Sequence, residues 1–279
     1  MILKIFFILF LLICICVAVL KYYIRRTAPF VKQEQLLKAL EKYPKKNDES
    51  EVIKVIKVTN QLGEKEKDDI CVAFESGPDF KWMSLNNIHN QVSRLSNSVI
   101  KPRINVGLKY GIALEARDQN GNFQGTAVLA LPQHKIKNLQ TILTYGLKRP
   151  FYMQKKARDE GWGDLMNAKW DSFSGSLDKY HSHNMKKRDH WYLMILGVVK
   201  SEQGKHVGSK LLNCVLALAK QSNHPVYLEC IDENLGFYQK FGFRPLDKIQ
   251  LNPKGKKGST KVPGYHMNSM IWENKSKNE

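Results

Sequence analysis

The sequence predicts an α/β protein with a mixed central sheet, a βαβ unit at the centre of that sheet, and one N-terminal transmembrane helix ahead of it. The first observation behind this prediction is the order of segments in the C-terminal half. A buried strand-like run at 191–199, an amphipathic run at 208–220 and a second apolar run at 226–230 follow one another. Strand, helix and strand in this order build a βαβ unit. The second observation is an uninterrupted apolar stretch at residues 5–20.

The N-terminal stretch is long enough to cross a membrane. Residues 5–20 contain no charged or strongly polar side chain, and about 20 apolar residues in a helix span a hydrocarbon core about 30 Å thick. A cleaved signal peptide would also start with a short basic region, here Lys4. However, no A-x-A-like cleavage site follows, and Lys21 with the two tyrosines after it is typical of a membrane interface. We therefore expect an uncleaved anchor over residues 1–26.

The charges around this anchor predict its orientation. Arg25, Arg26 and Lys32 after the stretch outweigh Lys4 before it, and basic flanks tend to stay in the cytosol. We expect the rest of the chain in the cytosol, although the bias is modest and a lumenal orientation stays open. Residues 27–49 have the composition of a polar stalk, and the folded domain is expected over residues 50–274.

The first half of the domain predicts a strand, a helix and then a β-hairpin. The β-branched run at 51–59 is typical of a strand, and the charged residues at 64–69 lead into a helical pattern. Two further strand-like runs, 111–117 and 123–131, flank an Asn-Gly pair, which favours a tight hairpin connection. The following stretch, 132–189, has mixed helical patterning and several aromatic residues, for which core packing is the default interpretation.

The second half of the domain predicts the alternation that defines the fold class. The run at 191–199 is a buried strand, and the helix at 208–220 places its leucines and valine on one side. A short strand at 226–230, a second helix at 234–241 and a final strand at 265–272 follow. The domain is therefore predicted to be one mixed sheet with helices packed on it.

Charge and cysteine content narrow the classes of partner. The formal net charge is +18, which favours anionic partners such as a phosphorylated coenzyme, anionic lipid or nucleic acid. The basic residues are dispersed and no nucleic-acid recognition motif accompanies them, which argues against nucleic acid. The five cysteines are spaced neither as a disulfide framework nor as a zinc site, and no metal is predicted.

One loop carries the chemistry that the sequence offers. Between the strand ending at Val199 and the following helix lies the segment KSEQGKHVGSK, residues 200–210. A glycine-bearing turn at a helix N-terminus offers unpaired backbone N–H groups and the positive end of the helix dipole, which together suit a pyrophosphate. Lys205 and Lys210 add positive charge. Taken alone, two glycines would equally fit an ordinary strand-to-helix connection.

The surrounding residues point to a known family. HWYLMILGVVKSEQGKHVGSKLL at 190–212, followed by PVYLECIDENLGFYQKFGFRP at 225–245, resembles motifs A and B of the GNAT acetyltransferases, and in detail the branch that includes puromycin N-acetyltransferase. Residues 51–132 resemble the family more loosely, and 132–189 match little. The resemblance implies the GNAT fold, with a mixed, mostly antiparallel central sheet flanked by helices, and acetyl-CoA as co-substrate.

The resemblance also implies site residues. The family's Gln/Arg-x-x-Gly-x-Gly/Ala signature falls on Gln203, His206 and Gly208, and the amides of this loop would bind the CoA pyrophosphate. The edge of the central strand would pair with the pantetheine arm, and Asn234 matches an asparagine that contacts the cofactor. The expected cofactor-binding residues are Leu196, Val198, Val199, Lys200, Gln203, Gly204, Lys205, His206, Val207, Gly208, Ser209 and Asn234.

Three side chains are candidates for proton transfer in a direct acetyl transfer to an amine. Tyr238 matches the tyrosine that protonates the departing CoA thiolate; its alternative is aromatic packing. Glu229, at the end of a strand, is a candidate base, with a structural carboxylate as the equal alternative. His190 precedes the central strand and titrates near neutrality, although a structural role suits it better.

One departure from the family pattern opens a second function. His206 stands where the signature has its first glycine, and a histidine brings a Cβ and an imidazole to a turn that needs unusual dihedral angles. The first hypothesis is therefore a membrane-anchored N-acetyltransferase acting on an amine of a small molecule or a protein. The second is a membrane-anchored, non-catalytic acyl-CoA-binding or interaction module. The acceptor is not indicated by any residue pattern.

Overall fold

A computed structural model describes residues 10, 13–18, 55–59, 61–84, 89–132, 163–253 and 263–274. In this part of the chain, seven strands form one sheet in the order β1-β2-β3-β4-β5-β7-β6. All neighbouring strands are antiparallel except β4 and β5, which are parallel. The predicted mixed, mostly antiparallel α/β sheet is confirmed. The strands are β1 (Val55–Thr59), β2 (Ile112–Arg117), β3 (Phe123–Ala130), β4 (Trp191–Val198), β5 (Val226–Cys230), β6 (Arg244–Leu251) and β7 (Tyr265–Trp272).

Six helices pack on this sheet within the described residues of the domain. They are α1 (Glu64–Glu75), α2 (Pro78–Met83), α3 (His89–Tyr110), α4 (Gly163–Met185), α5 (Val207–Ser222) and α6 (Leu235–Lys240). Two short 3-10 turns, Lys200–Glu202 and Asp232–Asn234, precede α5 and α6. The predicted βαβ unit is β4-α5-β5.

The hairpin between β2 and β3 forms where the Asn-Gly pair predicted it. Gly121 has φ +82°, a left-handed conformation that glycine adopts without steric cost. The Asp118 carboxylate accepts hydrogen bonds from the backbone N–H groups of Asn120 and Asn122, both at 2.8 Å. An acidic side chain therefore closes the turn that the glycine allows.

The sheet separates two apolar cores. One face carries α5 and α6, and its core is built from α5 leucines such as Leu211 and Leu212 against β-strand residues that include Leu193 and Leu228. The other face carries α1, α3 and α4, with Ile70, Ile104 and Phe173 among the buried residues there. Because side chains alternate along a strand, strands β2, β3, β4 and β7 supply both cores.

Three elements were not predicted, the short helix α2, strand β6 and helix α3, and the last two have a physical reason. Strand β6 is an edge strand with an exposed Arg244 and Pro245 at its start, and charges and proline are what edge strands carry in place of an apolar pattern. Helix α3 has Pro102 in its interior, which is atypical of a helix, and the sequence pattern of its region gave no helix.

Several predicted segments lie outside the described residues. The first four residues of the strand predicted at 51–59, the stalk at 27–49 and most of the stretch 132–162 are among them. Of the predicted N-terminal anchor, residues 10 and 13–18 are described and are helical. A search of the described residues for a helix of sufficient length and apolar character to span a bilayer gave none.

Candidate active site

Strands β4 and β5 separate soon after they meet. Their pairing consists of Trp191 with Val226 and Tyr192 with Tyr227, although β4 continues to Val198 and β5 to Cys230. Beyond Tyr192, β4 pairs with β3 and beyond Tyr227, β5 pairs with β7. The two central strands therefore open into a gap toward their C-terminal ends, below the N-terminus of α5.

A β-bulge in β4 decides which backbone groups face this gap. Ile195 is opposite Val128 and Leu193 is opposite Leu129, so Met194 is an extra residue on β4. The hydrogen bonds on either side show the effect. The N–H of Trp191 points toward β5 and donates to the Pro225 carbonyl, whereas the N–H of Val199, eight residues on, points toward β3 and donates to Gln124.

Without the bulge, the backbone groups of all odd-numbered residues would point to one edge of β4 and those of all even-numbered residues to the other edge. The extra residue reverses the parity, so that Leu196 and Val198 direct their backbone groups into the gap. The Val198 carbonyl indeed accepts a hydrogen bond from the Gln203 side chain at 3.3 Å rather than from β3. Of the three residues predicted to pair at this edge, Leu196, Val198 and Lys200, the first two lie where an extended ligand could pair with them, and Lys200 lies in the turn after β4.

Val199 directs its backbone groups to the other edge of β4. Its N–H donates to the Gln124 carbonyl at 2.9 Å, and its carbonyl accepts from the Glu202 N–H at 2.8 Å. Both backbone groups are thus used inside the protein. Val199 is one of the residues predicted to bind the cofactor, and this stays a prediction. Lys200 begins the 3-10 turn that follows and is exposed.

The loop before α5 owes its shape to two residues in the left-handed region. Gly204 has φ +80°, and His206, the N-cap residue of α5, has φ +61° and ψ +11°. His206 therefore adopts the conformation that the family glycine would adopt, at a strain cost of about 1–2 kcal/mol. Its side chain is exposed to solvent and makes no capping hydrogen bond.

The first turn of α5 is suited to an anion. The N–H groups of Val207, Gly208 and Ser209 begin the helix and have no carbonyl one turn earlier to bond, and no acidic residue lies in this turn. A Cβ on Gly208 would lie 3.5 Å from Val198 and 3.8 Å from Phe237, so the backbone here is close to the wall of the gap. The Val207 side chain is buried in the core, which leaves only its backbone for a ligand.

The loop side chains have internal roles. Lys205 forms an ion pair with Glu202 at 3.0 Å, and the other Glu202 oxygen accepts from the Gln124 amide at 3.0 Å. Glu202 would otherwise repel a phosphate, and Lys205 balances its charge. The Lys205 N–H donates to the Glu202 carbonyl at 3.4 Å, so the expected contribution of this loop to a diphosphate is the remaining amides between Gln203 and Ser209. The backbone of this loop and of the first turn of α5 therefore fits the predicted diphosphate of the coenzyme.

Tyr238 lies on the α5 face of the sheet. It is 8% exposed, and its ring makes edge contacts with Phe237 and Phe243 at centroid distances of 5.1 and 5.6 Å. Burial, with the neighbouring Cys230 adding to it, raises the pKa of Tyr238 above its usual value. The hydroxyl thus stays protonated over the working pH range, as a proton donor must. Asn234, at the N-cap of α6, is exposed and makes no capping bond with its side chain.

Glu229 lies on the opposite face of β5. Its Oε2 accepts a hydrogen bond from the Tyr192 hydroxyl at 2.8 Å, and Oε1 is out of contact with solvent. Burial raises the pKa of Glu229 to about 7, with the Tyr192 hydrogen bond acting in the lowering direction. The residue as a whole is half-buried, and its carboxyl group is the buried part.

His190 belongs to a histidine pair behind this carboxylate. Its Nδ1 donates to the Arg188 carbonyl at 2.7 Å, which leaves Nε2 of the neutral ring to accept from His181 Nε2 at 2.7 Å. His181 in turn stacks on Tyr227 at a centroid distance of 4.6 Å and an interplanar angle of 7°. These contacts hold the aromatic rings beside Glu229 in place, in agreement with a structural role for His190.

Comparisons with known proteins agree with this geometry. The model of the acetyltransferase (GNAT) family matches residues 157–243, which include the gap, the loop and α6. This part of the chain is similar to the GNAT acetyltransferases. The protein is an acyltransferase, and acetyl-CoA is the co-substrate that the GNAT fold binds.

Individual proteins are similar to different lengths of this chain. An uncharacterised N-acetyltransferase of Schizosaccharomyces pombe is 27% identical over 188 residues, which cover 66% of this chain and 72% of the relative. A glucosamine 6-phosphate N-acetyltransferase of Candida albicans is 40% identical over 50 residues, 18% of this chain and 34% of the relative. A mosquito arylalkylamine N-acetyltransferase-like 5b structure is 13% identical, with 79% of this chain and 100% of that chain covered and a TM-score of 0.45.

The structure adds residues that the sequence did not single out. Tyr192, Tyr227 and His181 surround Glu229. Strand alternation could have placed Tyr227 on the same face as Glu229, two residues away. Nothing local could have brought in His181, because it comes from α4, in the stretch where the sequence matched little. Across the part of the chain that the structure describes, no group of three or more metal-ligating side chains occurs.

The conformation of His206 leads to a test of the loop. We expect His206→Gly to be neutral or to stabilise the protein by up to about 1 kcal/mol, because glycine adopts the left-handed region freely. The affinity for acetyl-CoA should stay within about threefold, since His206 offers a backbone N–H that glycine retains. Urea unfolding and titration calorimetry measure the two quantities.

A matched control for this test is Asn223→Gly. Asn223 has φ +53° and ψ +39° at the other end of the same helix, so this variant should change stability in the same direction and leave acetyl-CoA affinity unchanged. A loss of affinity of about tenfold or more in His206→Gly alone would show that the imidazole contacts the cofactor, against the orientation described here.

Proposed function

We propose that the protein is an N-acetyltransferase that moves the acetyl group of acetyl-CoA directly to an amine of a small molecule or a protein. The observation that carries the proposal is the placement of two proton-handling side chains on either side of the β4–β5 gap. Glu229 and Tyr238 lie on opposite faces of the sheet, beside strands that pair over two residues only. A thioester in this gap would have a base on one side and an acid on the other.

The residues that would hold the co-substrate are those whose backbone groups face it. The amides from Gln203 to Ser209 suit the diphosphate, and the β4 edge at Leu196 and Val198 suits the pantetheine arm. The Gln203 side chain would have to release the Val198 carbonyl when the arm binds. The hydrogen bond between them is 3.3 Å long, and Gln203 is exposed. Asn234 is exposed beside the gap and is proposed as a further contact. Acetyl-CoA itself supplies an acetyl carbon activated by a thiol leaving group.

The proposed path of each proton follows from the positions of Glu229 and Tyr238 on the two faces of the sheet. The acceptor nitrogen forms a bond to the acetyl carbon as the carbon–sulfur bond breaks, and the proton that the nitrogen loses passes to Glu229. The Tyr238 hydroxyl gives its proton to the departing sulfur. A pKa of about 7 leaves about half of Glu229 ionised at neutral pH, a useful value for a base that must also give its proton back.

The second function suggested by the sequence loses its support. It rested on His206 at the phosphate turn, and that residue has the backbone conformation of the glycine it replaces, with an exposed side chain. A non-catalytic acyl-CoA-binding module would have no use for the pairing of a buried carboxyl and a buried hydroxyl across the gap. The assignment to the puromycin N-acetyltransferase branch rests on motif resemblance and remains a prediction.

Replacing Tyr238 by phenylalanine tests the acid. Tyr238→Phe keeps the ring contacts with Phe237 and Phe243 and removes the proton donor, so kcat should fall about tenfold or more while KM for acetyl-CoA changes little. Thiol release at saturating amine measures kcat. Tyr110→Phe, at the end of α3, is the control and should keep full activity; an unchanged kcat in Tyr238→Phe would remove this residue from the mechanism.

The pH dependence of kcat tests the base. Because a carboxyl group must be ionised to act as a base, kcat should rise with pH and level off above about 7. The Tyr192 hydroxyl favours the ionised form and so lowers the pKa of Glu229. In Tyr192→Phe the pKa of Glu229 should rise, and the rising limb should shift to higher pH.

Glu229→Gln is the companion variant for this profile. It should lower kcat by about 100-fold and abolish the limb near pH 7. A limb that stays in place in both variants would belong to another group and would exclude Glu229 as the base. The amine should be kept saturating throughout, so that its own ionisation in solution does not enter kcat.

We also propose that residues 1–26 anchor the enzyme in a membrane, with residues 27–49 as a stalk and the domain of residues 50–274 in the cytosol. The support is the apolar run and the basic residues after it. In addition, four of the five exposed large hydrophobic side chains in the described residues are Phe10, Ile13, Ile15 and Val17. An apolar helix surface of this kind is stable in lipid and costly in water.

Membrane fractionation with protease protection tests this arrangement. The full chain expressed in cells should sediment with membranes and resist extraction at high pH. In intact vesicles whose cytosolic face is outward, added protease should digest its domain. Deletion of residues 1–26 should release an active domain into the supernatant. A full chain found in the supernatant would contradict the anchor, and a protected domain would contradict the cytosolic placement.

A further inference from the structure

Arg103 of α3 is a positive charge without a close partner on the Glu229 side of the sheet. The residue is half-buried, and its guanidinium carbon lies 5.6 Å from the centroid of the Phe173 ring on α4. Among the described residues, Arg103 has no hydrogen bond or ion pair. A ring face is only a weak acceptor, so most of the N–H groups of Arg103 stay available for water or a ligand.

Three carboxyl groups surround Arg103 at a distance. They belong to Asp79 on α2, Asp178 on α4 and Glu229 on β5, and the charge of Arg103 acts on each of them to lower its pKa. The Tyr192 hydroxyl on β4 is in the same field. Arg103 therefore lies between α2, α4 and the two strands that border the gap, on the side of the candidate base.

The arginines that only balance charge in this protein are paired directly. Arg117 contacts Glu115 at 3.0 Å, and Arg244 contacts Glu273 at 2.7 Å. Such charge-assisted contacts gain their energy from close approach, and a half-buried guanidinium held apart from carboxyls forgoes that gain. Arg103 is thus surrounded by negative charge, but no described side chain accepts its N–H groups.

The space beside Arg103 is partly open. Arg103 itself, Met194 on β4 and Ile231 on β5 are half-buried and keep part of their surface in contact with solvent. Met194 and Ile231 pack against the core on the α3 side of the sheet, and they stand on the two strands that separate. A ligand that approaches from the α3 side therefore meets Arg103 and the gap together.

We propose that Arg103 binds a carboxylate of the acceptor, so that the acceptor is an amino acid or another amine that carries a carboxylate. This inference rests on the proposed acetyl transfer and names the class of its acceptor. The planar fork of an arginine matches a carboxylate with two parallel hydrogen bonds. The carboxylate takes no part in the bond changes and stays on Arg103 in the amide product.

The charges around Arg103 favour a carboxylate over a phosphate. An amino acid carries both signs of charge before its amine loses a proton, and the site also offers both signs, one guanidinium and three carboxyls. A phosphate dianion would bring two negative charges to a place where a single cation already faces three carboxyls. A zwitterionic acceptor is therefore the better electrostatic match.

The test compares Arg103→Gln with the wild-type full chain. Leucine, phenylalanine, β-alanine and 6-aminohexanoate serve as acceptors, each beside its amide, which keeps the shape of the carboxylate and removes its charge. Thiol release is measured at saturating acetyl-CoA and at about pH 8.5, where Glu229 is ionised. The wild type should prefer the best acid over its amide by about tenfold or more in kcat/KM per neutral amine.

The variants should separate the carboxylate from the rest of the acceptor. In Arg103→Gln, kcat/KM on the acid should fall about 30-fold, mainly through KM, while kcat/KM on the amide stays within about twofold. Arg103→Lys should give an intermediate value on the acid, because it keeps the charge and loses the fork. An equal loss on acid and amide would show a purely structural or electrostatic role and would overturn the inference.

Lys109→Gln is the matched control on the same helix. Lys109 lies near the C-terminal end of α3, with its Nζ 5.2 Å from the centroid of the Tyr110 ring. Its replacement also removes one positive charge and one contact with an aromatic ring, so both variants should lose a similar small amount of Tm. Only Arg103→Gln should lose the preference for the acid; the same loss in Lys109→Gln would contradict a specific contact.

Further outcomes distinguish the inference from the proposed function. Absence of acetyl-CoA binding in calorimetry would reject the acetyl transfer itself. Turnover of the amides at the same kcat/KM as the acids, or of none of the four amino acids despite acetyl-CoA binding, would reject the carboxylate site alone. O-phosphoethanolamine beside ethanolamine probes the phosphate: a larger loss on O-phosphoethanolamine in Arg103→Gln than on any amino acid would overturn the choice of a carboxylate.

Discussion

The incomplete pairing of β4 and β5 is the constraint on which the site depends. A parallel pair that continued past Tyr192 and Tyr227 would seal the centre of the sheet and use the backbone groups of both strands. The extra residue at Met194 turns the Leu196 and Val198 groups away from β3 and toward the gap. An extended ligand can therefore pair with β4 in the place that β5 leaves. The first turn of α5 lies above this place, and the N–H groups of the turn have no partner within the helix.

The alternation of side chains along β5 then places the candidate residues on different faces of the sheet. Residues of β5 point to the two faces in turn, so Leu228 and Cys230 reach the core that holds Tyr238, while Tyr227 and Glu229 reach the α4 side. The candidate acid and base, Tyr238 and Glu229, therefore lie on opposite faces of the sheet. The Glu229 carboxyl is partly desolvated, and burial brings its pKa close to neutrality without a charged partner within hydrogen-bond distance among the described residues.

The prediction of the fold from sequence succeeded where local patterns are strong. The apolar runs at β4 and β5, the amphipathic α5 and the Asn-Gly hairpin each carry a period or a turn signal of their own. Strand β6 and helix α3 were missed because an edge strand carries charges and proline, and because Pro102 interrupts a helical pattern. In the site, the phosphate loop is predicted from its glycines and its place before a helix, whereas the bulge at Met194, which decides the residues of β4 that face the gap, has no signal in the sequence.

The sequence by itself determined the order of elements, the family motifs, the loop at the start of α5 and the identity of the acid and base candidates, because each is encoded within a short stretch of chain. Only the tertiary structure decided which face each candidate occupies, that His206 takes a glycine-like conformation with its side chain in solvent, and that Tyr192, Tyr227 and His181 surround Glu229. The physical reason is that burial and orientation arise from contacts between segments distant in the chain. His181 on α4 stacks on Tyr227 of β5, and no local pattern records that contact.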